Sequence, residues 1–308
     1  MKLHLYISSF KKLILGILFG LFFVFISSHI TNYLIENSNH RLSQIYSSQS
    51  ITPSIFYIGN SRAVPFTSEN LKTSVKILNL SHNSLNSFEV ENIIKAIKKK
   101  KTGSKKIYIE VTSLIDENVQ CQYSIFYDLK FYFGKQNIEK YCKQKFYLEK
   151  FFPIAKLNNE LFYRIIYYYF FPKKDQLWIN NYQMSKAVCE NPKTSELMMH
   201  FFNKDAEKKI YKKSMDLLNI YSDSNTEIYF FIAPVYQKKN LALNMEKKFL
   251  AINFKNLVKV NTVLNDEFFK NCNMFADTLH LSIRGISAIK KSMIFNYLDK
   301  VSLPKKNI

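Results

Sequence analysis

A serine, a histidine and an aspartate near opposite ends of the chain are the residue types of acyl-transfer chemistry. Ser61 follows a short apolar run and a Gly-Asn pair, a pattern typical of a tight turn after a strand. Asp277 precedes His280 by three residues, so one short turn can present both side chains. A hydroxyl becomes a good nucleophile when a base takes its proton and a carboxylate orients that base. We therefore expect Ser61, His280 and Asp277 to act together.

The other histidines are weaker candidates for the base. Three of the six lie in or near the N-terminal apolar segment: His4, His29 and His40. His82 and His200 have no acidic partner at the spacing that Asp277 has from His280. The sequence therefore favours His280 as the group that activates Ser61.

The N-terminus predicts a membrane anchor. Lys2, Lys11 and Lys12 precede a run without charge from Leu13 to about Tyr33. About 20 apolar residues span a bilayer as a helix, and no clear cleavage site of small residues follows, which favours an uncleaved signal anchor over a signal peptide. Since basic residues stay on the cytoplasmic side, we expect a single-pass protein of the inner or cytoplasmic membrane. Its N-terminus is then cytoplasmic and its catalytic domain periplasmic or extracellular.

This interpretation gives the domain boundaries. Residues 1–36 are the cytoplasmic tip and transmembrane anchor, residues 37–50 a polar stalk, and residues 51–308 the main domain. The four cysteines all fall in the exported part, where disulfides persist. Three pairings are open, of which Cys121–Cys142 is the most local, and free buried thiols are the alternative. No Cys or His spacing suggests zinc, and we expect no metal or cofactor.

The charge of the chain is strongly basic, with 44 Lys and Arg against 24 Asp and Glu and a formal net charge of +20. Such a balance suits an anionic membrane surface or an acidic polymer, or reflects a proteome rich in lysine. The lysines are scattered, and no nucleic-acid-binding motif accompanies them. The sequence therefore argues against a nucleic-acid partner.

Short apolar strands alternate with amphipathic helices after residue 50. The predicted strands are Ser54–Ile58, Val75–Leu80, Ile107–Val111, Ile228–Ile232 and a weaker Val258–Val260. The clearest predicted helices are Ser87–Lys101, Leu197–Ile220 and a last one that follows a Ser282 cap and carries Met293, Ile294 and Tyr297. This alternation predicts an α/β fold with a parallel sheet and helices on both faces. Functional loops then gather at the carboxyl ends of the strands.

The long segment 118–225 interrupts the alternation and contains a predicted cap insertion. Its part from Cys121 to Cys189 is rich in Tyr, Phe and Lys. These aromatic residues could form the core of the insertion, stack on sugar rings or lie on the membrane surface. We expect the cap to lie beside the active edge of the sheet.

Two short motifs resemble those of the SGNH (GDSL-like) hydrolase superfamily. Gly59-Asn60-Ser61 is similar to block I, usually Gly-Asp-Ser, and Asp277-Thr278-Leu279-His280 is similar to block V. The resemblance covers roughly residues 51–117 and 226–300. It implies a three-layer flavodoxin-like fold with Ser61 as nucleophile, His280 as base and Asp277 as its orienter. It also resembles membrane-anchored members that act on O-acetyl or D-alanyl groups of cell-envelope polysaccharide.

The oxyanion donors depart from the family pattern. Ser84 stands where block II has a glycine, although its backbone N–H could serve, and block III lacks its asparagine. Asn83, Thr112 and Ser113 are the candidate substitutes, because losing one donor costs about 10²- to 10³-fold in rate. Arg62 either holds an anionic substrate group or pairs with Glu69 on the surface.

The sequence leaves three functions open. The favoured one is an outward-facing O-acetyltransferase or esterase on a cell-surface glycan, with a membrane-embedded acyltransferase as the partner that the family implies. An inactive scaffold in polysaccharide modification or export is the alternative, because blocks II and III are atypical. A surface adhesin would rest on the basic, aromatic cap alone.

Overall fold

A computed structural model of the chain describes residues 2–46, 55–100, 103–129, 132–171, 184–190, 203–237, 239–252 and 254–291. The chain divides into two compact units: Met1–Gln49 with Cys121–Lys173, and Ser50–Gln120 with Lys174–Ile308. The first unit holds the N-terminal apolar helix, and the second holds the sheet.

Helices and strands alternate over most of the second unit. In chain order, the helices are α1 Lys2–Asn37, α2 Arg41–Tyr46, α3 Ser87–Lys99, α4 Lys135–Tyr141, α5 Lys143–Phe151, α6 Glu160–Phe170, α7 Lys186–Glu190, α8 Lys204–Tyr221, α9 Lys239–Ala251, α10 Val260–Val263, α11 Asp266–Lys270 and α12 Ile283–Lys291. The strands are β1 Ile55–Ile58, β2 Ile77–Asn79, β3 Lys105–Glu110 and β4 Thr226–Phe231. Short 3₁₀ turns cover Val111–Leu114, Cys121–Phe126, Pro153–Asn158 and Cys272–Met274.

The second unit is built on a four-stranded parallel sheet in the order β2-β1-β3-β4. The α/β class and the parallel sheet that the sequence predicts are therefore confirmed. Tyr57, Tyr108 and Tyr229 are register partners on adjacent strands, and their rings stack across one face. All four residues of β1 are buried, as expected for a central parallel strand.

Helices cover both faces of this sheet. On the tyrosine face, Tyr57 shares a core cluster with Phe268 of α11 and Ile286 of α12. On the opposite face, the Phe230 ring lies 5.5 Å from Phe254, which Tyr211 of α8 also contacts. The sheet thus lies between two helical layers, and its carboxyl edge is left for the loops.

The predicted fifth strand, Val258–Val260, is wrong. Leu257 forms a single parallel bridge with Phe230, supported by hydrogen bonds from Phe230 N to Asn256 O and from Val258 N to Phe230 O, both 2.8 Å. α10 begins at Val260, so the extended run is too short to make a ladder.

The first unit contains α1 and the helices packed against its C-terminal end. Phe10–Asn37 is long and apolar enough to cross a membrane. The predicted stalk is replaced in part by helix α2, whose Leu42, Ile45 and Tyr46 are buried. Apolar residues three and four apart form one helix face, and burying that face explains why Arg41–Tyr46 is not a solvated linker. Residues 47–50 of the stalk lie outside the described residues.

The predicted cap is divided between the two units. Cys121–Lys173 groups with the N-terminal helix, whereas 184–190 and 203–225 belong to the sheet unit. The predicted helix Leu197–Ile220 is α8 from Lys204 onward, and 197–202 lie outside the described residues, as do Met293, Ile294 and Tyr297. That the cap lies beside the active edge stays a prediction.

All four cysteines are in disulfides, so the alternative of free thiols is wrong. Cys121–Cys142 closes the local pair within the first unit. Cys189–Cys272 joins α7 to the 3₁₀ turn that precedes Asp277 in the second unit. Disulfides persist in oxidising compartments, which fits an exported domain.

Candidate active site

Ser61 lies on a tight turn at the carboxyl end of β1. The Asn60 side chain folds this turn, since its Oδ1 accepts a hydrogen bond from Arg62 N at 3.1 Å. Gly59 is required by close approach, because a Cβ there would lie 2.6 Å from the Ala63 Cβ and 2.8 Å from the Glu110 Cβ. The turn can therefore pack directly on β3 and present Ser61 at the sheet edge.

Asp277 and His280 lie on a second tight turn, just before α12. Asp277 Oδ1 accepts hydrogen bonds from Leu279 N at 2.7 Å and from His280 N at 2.9 Å. An antiparallel bridge between Phe275 and Leu281 closes the turn at its base. The carboxylate thereby organises the backbone that carries the imidazole.

Ser282 and Gly285 fix the start of α12 behind this turn. Ser282 Oγ accepts a hydrogen bond from Gly285 N at 3.2 Å, which confirms the predicted cap. A Cβ at Gly285 would lie 2.0 Å from the Met274 carbonyl oxygen, so only glycine permits this approach. The helix start and the 3₁₀ turn together hold His280 in place.

The two turns bring three side chains into one hydrogen-bonded line. His280 Nε2 lies 2.8 Å from Ser61 Oγ, and His280 Nδ1 lies 2.7 Å from Asp277 Oδ2. A carboxylate accepts, so Nδ1 carries the proton and Nε2 is left to accept from the Ser61 hydroxyl. A base poised in this way can take the proton of a nucleophilic serine.

The electrostatics keep Asp277 ionised. Partial burial raises the pKa of this carboxyl, but the hydrogen bond and charge of His280 and the backbone N–H groups of Leu279 and His280 outweigh it and lower the pKa below its ordinary value. The His280 side chain is 13% exposed and that of Asp277 is 44% exposed. Ser61 is half-buried, so a substrate can reach it.

A buried ion pair supports the Ser61 turn from beneath. Arg62 and Glu110 are 2% and 0% exposed, and Arg62 Nη1 lies 3.3 Å from Glu110 Oε1. Arg62 also donates to the carbonyl of Ala233, which follows β4, and Ala233 N donates to Glu110 Oε1 at 3.3 Å. Burial lowers the pKa of Arg62, and the Glu110 charge opposes that change. The pair thus joins the ends of β1, β3 and β4.

This position corrects the expectation for Arg62. The side chain is buried, so it does not lie on the surface in the way a pair with Glu69 would require. Its guanidinium is engaged with Glu110, Ala233 and Thr112 Oγ1. The arrangement gives Arg62 a role in positioning its neighbour Ser61 rather than in holding a substrate anion.

Thr112 and Ser113 belong to the same supporting network. The Thr112 hydroxyl donates to Glu110 and accepts from Asn60 Nδ2 at 2.9 Å, while the Ser113 hydroxyl donates to the Glu110 carbonyl at 2.6 Å. Both residues are 1% exposed. Their hydroxyl protons are used internally, so the structure does not support them as side-chain oxyanion donors.

Asn83 and Ser84 lie in the loop after β2, which is joined to the Ser61 turn by a hydrogen bond from His82 N to Gly59 O at 3.1 Å. His82 Nδ1 donates to the Asn83 carbonyl at 2.8 Å, whereas His280 contacts Ser61. Ser84 has φ +60°, a left-handed conformation that glycine adopts most easily. The loop therefore has the backbone shape that a glycine at this position would provide.

Sequence reasoning missed Glu110 and Asn79 as supporting residues. Glu110 ends an otherwise apolar strand, and a charge at such a position signals a buried partner. Asn79 Nδ2 donates to the carbonyls of Ala63, Val64 and Phe66 at 2.8–3.1 Å. It thereby holds the chain that leaves the Ser61 turn. A polar residue at the end of each strand was the signal available for both.

Comparison with known proteins adds little to this picture. No family model and no curated protein matches the chain. Among solved structures, one similar chain is a protein from Streptococcus pneumonia provisionally described as a platelet activating factor, at 15% identity and TM-score 0.40 over 92% of this chain and 98% of that one. Another is the lipase Lip_vut3 from a goat rumen metagenome, at 11% identity and TM-score 0.32 over 82% and 99%. Likeness this low carries no argument about activity, which must rest on the site itself.

Proposed function

We propose that the chain is a serine acyl-transfer enzyme in which Ser61 is the nucleophile, His280 the base and Asp277 its orienter. The carrying observation is the continuous line from Asp277 Oδ2 through His280 to Ser61 Oγ, with contacts of 2.7 and 2.8 Å. Two turns at different places in the chain are each folded to present these groups. Such convergence on one hydroxyl is the geometry that nucleophilic catalysis requires.

The reaction then follows two steps. Ser61 Oγ attacks the acyl carbonyl while His280 Nε2 takes its proton, and the Asp277 carboxylate stabilises the imidazolium. His280 returns the proton to the leaving oxygen, which leaves an acyl group on Ser61. In the second step water or an acceptor hydroxyl gives its proton to His280 and attacks this ester. The choice between them separates an esterase from an acetyltransferase.

The backbone N–H of Ser84 is our candidate oxyanion donor. Its positive φ reproduces the glycine-like loop, and the loop is hydrogen-bonded to the Ser61 turn. If the backbone acts, Ser84→Gly and Ser84→Ala keep the esterase rate. If the hydroxyl acts, both variants lose about 10²- to 10³-fold in kcat, as removal of an oxyanion donor does.

The SGNH resemblance is part of this proposal. The strand order β2-β1-β3-β4 agrees with the first four strands of the flavodoxin-like order 2-1-3-4-5. Ser61 follows β1 and the Asp-x-x-His turn precedes the last described helix, as blocks I and V imply. We assign the chain to an SGNH-like arrangement on these grounds.

Membrane anchoring and a glycan substrate complete the proposal. α1 has the length and apolarity of a span, and the lysines before it favour a cytoplasmic N-terminus. Two disulfides suit an exported domain. An acylated cell-surface polysaccharide is then the accessible substrate, and a membrane-embedded acyltransferase is a suitable acyl source.

Release of 4-nitrophenol from its acetate ester by the purified full chain tests the activity. We expect Ser61→Ala to lose the enzyme-dependent rate, because no other described hydroxyl contacts His280 Nε2 in the hydrogen bonds of the site. Ser104→Ala is the matched control, since Ser104 is exposed before β3 and takes no part in the site. Equal turnover by wild type and Ser61→Ala would refute the assignment.

A non-enzymatic scaffold is the second candidate, favoured by the internal use of the Thr112 and Ser113 hydroxyls. The scaffold predicts that wild type and Ser61→Ala both hydrolyse the ester at the rate of buffer alone. A Ser61-dependent rate supports the enzyme.

A further inference from the structure

The first unit carries an exposed apolar surface beside the end of α1. We call it the apolar collar and define it by Phe152, Ile154, Leu157, Tyr163, Tyr167 and Phe170. Each of these side chains is between 38% and 62% exposed. Contiguous apolar surface of this kind on a soluble face marks an interaction site.

Helix α6 is apolar on two sides. Its Leu161, Phe162 and Ile165 are buried within the unit. Its Tyr163, Tyr167 and Phe170 follow the i, i+4, i+7 spacing of a single stripe and are exposed. A helix that needed only to pack on its own unit would place polar residues on this outer stripe.

The collar lies at one level of α1. The Lys156 Nζ, between Ile154 and Leu157 in the chain, donates to Asn32 Oδ1 at 3.1 Å and pairs with Asp128 at 3.0 Å. The Ser38 hydroxyl donates to the Ile165 carbonyl at 2.6 Å. These contacts hold the 3₁₀ turn Pro153–Asn158 and α6 against residues 32–38 of α1.

This level coincides with the outer boundary of a bilayer. Lys12 and Asn32 are separated by about 30 Å along an α-helix, which is about the thickness of the hydrocarbon core. The apolar residues of α1 are exposed up to Ile30, and burial against the unit begins at Thr31. A bilayer around the exposed part therefore ends beside Asn32 and the collar.

We propose that the apolar collar lies in the headgroup region of the bilayer and holds the first unit on the membrane surface. This inference rests on the proposed function only in that α1 spans a membrane. Tyrosine and phenylalanine rings suit the interface, and a surface helix inserts its apolar face about 5–10 Å. Ile154 and Leu157 offer no polar group to a sugar, so lipid suits the whole surface better than a glycan. Lys150, over the Phe151 ring at 5.7 Å, can reach lipid phosphates.

Tryptophan fluorescence in nanodiscs tests the collar with the full chain. The single native tryptophan, Trp178, is replaced by Phe, and Phe152→Trp or Phe170→Trp is then introduced. The discs contain phosphatidylcholine brominated either near the headgroup or near the chain ends. We expect both collar positions to lose more emission with bromine near the headgroup.

Two control positions make the outcomes distinct. Phe19→Trp in α1 should be quenched most by bromine near the chain ends, and Gln136→Trp on the polar face of α4 should keep its emission. Formation of the Cys121–Cys142 disulfide checks that each variant has folded.

Collar positions that behave like Gln136→Trp while Phe19→Trp is quenched would overturn the collar and leave the span intact. A blue-shifted emission without bromine quenching would place the rings against protein or glycan and overturn it as well. An unquenched Phe19→Trp would refute the span, and the collar with it, without bearing on Ser61.

Discussion

His280 Nε2 lies 2.8 Å from Ser61 Oγ although 219 positions separate the two residues in the chain. The contact requires the end of β1 and the turn before α12 to meet at the carboxyl edge of the sheet. Each turn is folded by its own side chain, Asn60 in one and Asp277 in the other. The position of the imidazole is therefore set by local hydrogen bonds on both sides.

Replacing Asp277 by asparagine should impair catalysis strongly. An amide cannot stabilise the imidazolium and can favour the wrong ring tautomer, which in serine hydrolases costs about 10⁴-fold in kcat. We expect a loss of about 10³- to 10⁴-fold for Asp277→Asn, with KM for the acetate ester little changed. Steady-state kinetics on purified protein give both constants. A loss confined to KM would contradict the assigned role.

The pKa of Asp277 also predicts a pH dependence of stability. Because the folded-state pKa is lowered, the charged carboxylate stabilises the fold above the unfolded pKa, about 3.8, and this contribution is lost as the pH falls through the lower folded value. Wild type should therefore unfold at a higher temperature than Asp277→Asn at neutral pH. The difference should shrink below pH 3.8.

Thermal unfolding of the two proteins over an acidic pH series measures this difference. A gap that widens on acidification would show that the carboxylate has a raised pKa in the fold, and would contradict the account of its hydrogen bonds.

The buried Arg62–Glu110 pair predicts strong coupling between the two residues. Removing one member leaves an uncompensated buried charge, which costs about 3–5 kcal/mol. We expect Arg62→Met and Glu110→Gln each to lower the free energy of unfolding by about this much, and the double variant to lose much less than the sum. Arg62→Lys should not restore the wild-type value, because an ammonium cannot span Glu110 and Ala233 as the guanidinium fork does.

Denaturant unfolding of the four proteins gives the coupling energy as a double-mutant cycle. Additive effects would show that the pair does not act as a unit beneath Ser61.

The sequence predicted the parts of this arrangement that depend on local pattern. The apolar runs around Phe56, Ile107 and Ile228 indicated β1, β3 and β4, and the Asp-x-x-His spacing indicated one turn. Pairings between distant parts of the chain were beyond such patterns, because nothing near Cys189 specifies Cys272 and nothing near Arg62 specifies Glu110.

Errors arose where a short segment has two physical solutions. Val258–Val260 has the β-branched residues of a strand, yet a helix turn begins at Val260. Arg41–Tyr46 is polar enough for a linker, yet its three apolar residues fall on one helical face and are buried. In both cases tertiary burial decided the outcome, and the local composition did not reveal it.

The Cys189–Cys272 disulfide should stabilise the sheet unit more than its sequence position suggests. Its partners are 83 positions apart, and closing a loop of that length reduces the entropy of the unfolded chain by about 4–5 kcal/mol at room temperature in the chain-entropy description. The Cys189→Ser, Cys272→Ser double variant should lose up to this amount in free energy of unfolding.

The Cys121→Ser, Cys142→Ser variant is the matched control for this prediction, because its loop spans only 21 positions. Its expected loss is about 3 kcal/mol. A larger loss from the shorter loop would contradict the chain-entropy explanation.

Covalent labelling of Ser61 by a fluorophosphonate tests the central claim most directly. The probe reacts with a serine only when a neighbouring base activates the hydroxyl, so labelling reports on the Ser61–His280 pair independently of the natural substrate. We predict that mass spectrometry of the digested protein finds the adduct on Ser61 in wild type and in Ser104→Ala, and that His280→Ala abolishes it. Wild-type protein that stays unlabelled, or an adduct that persists on Ser61 in His280→Ala, would contradict the account.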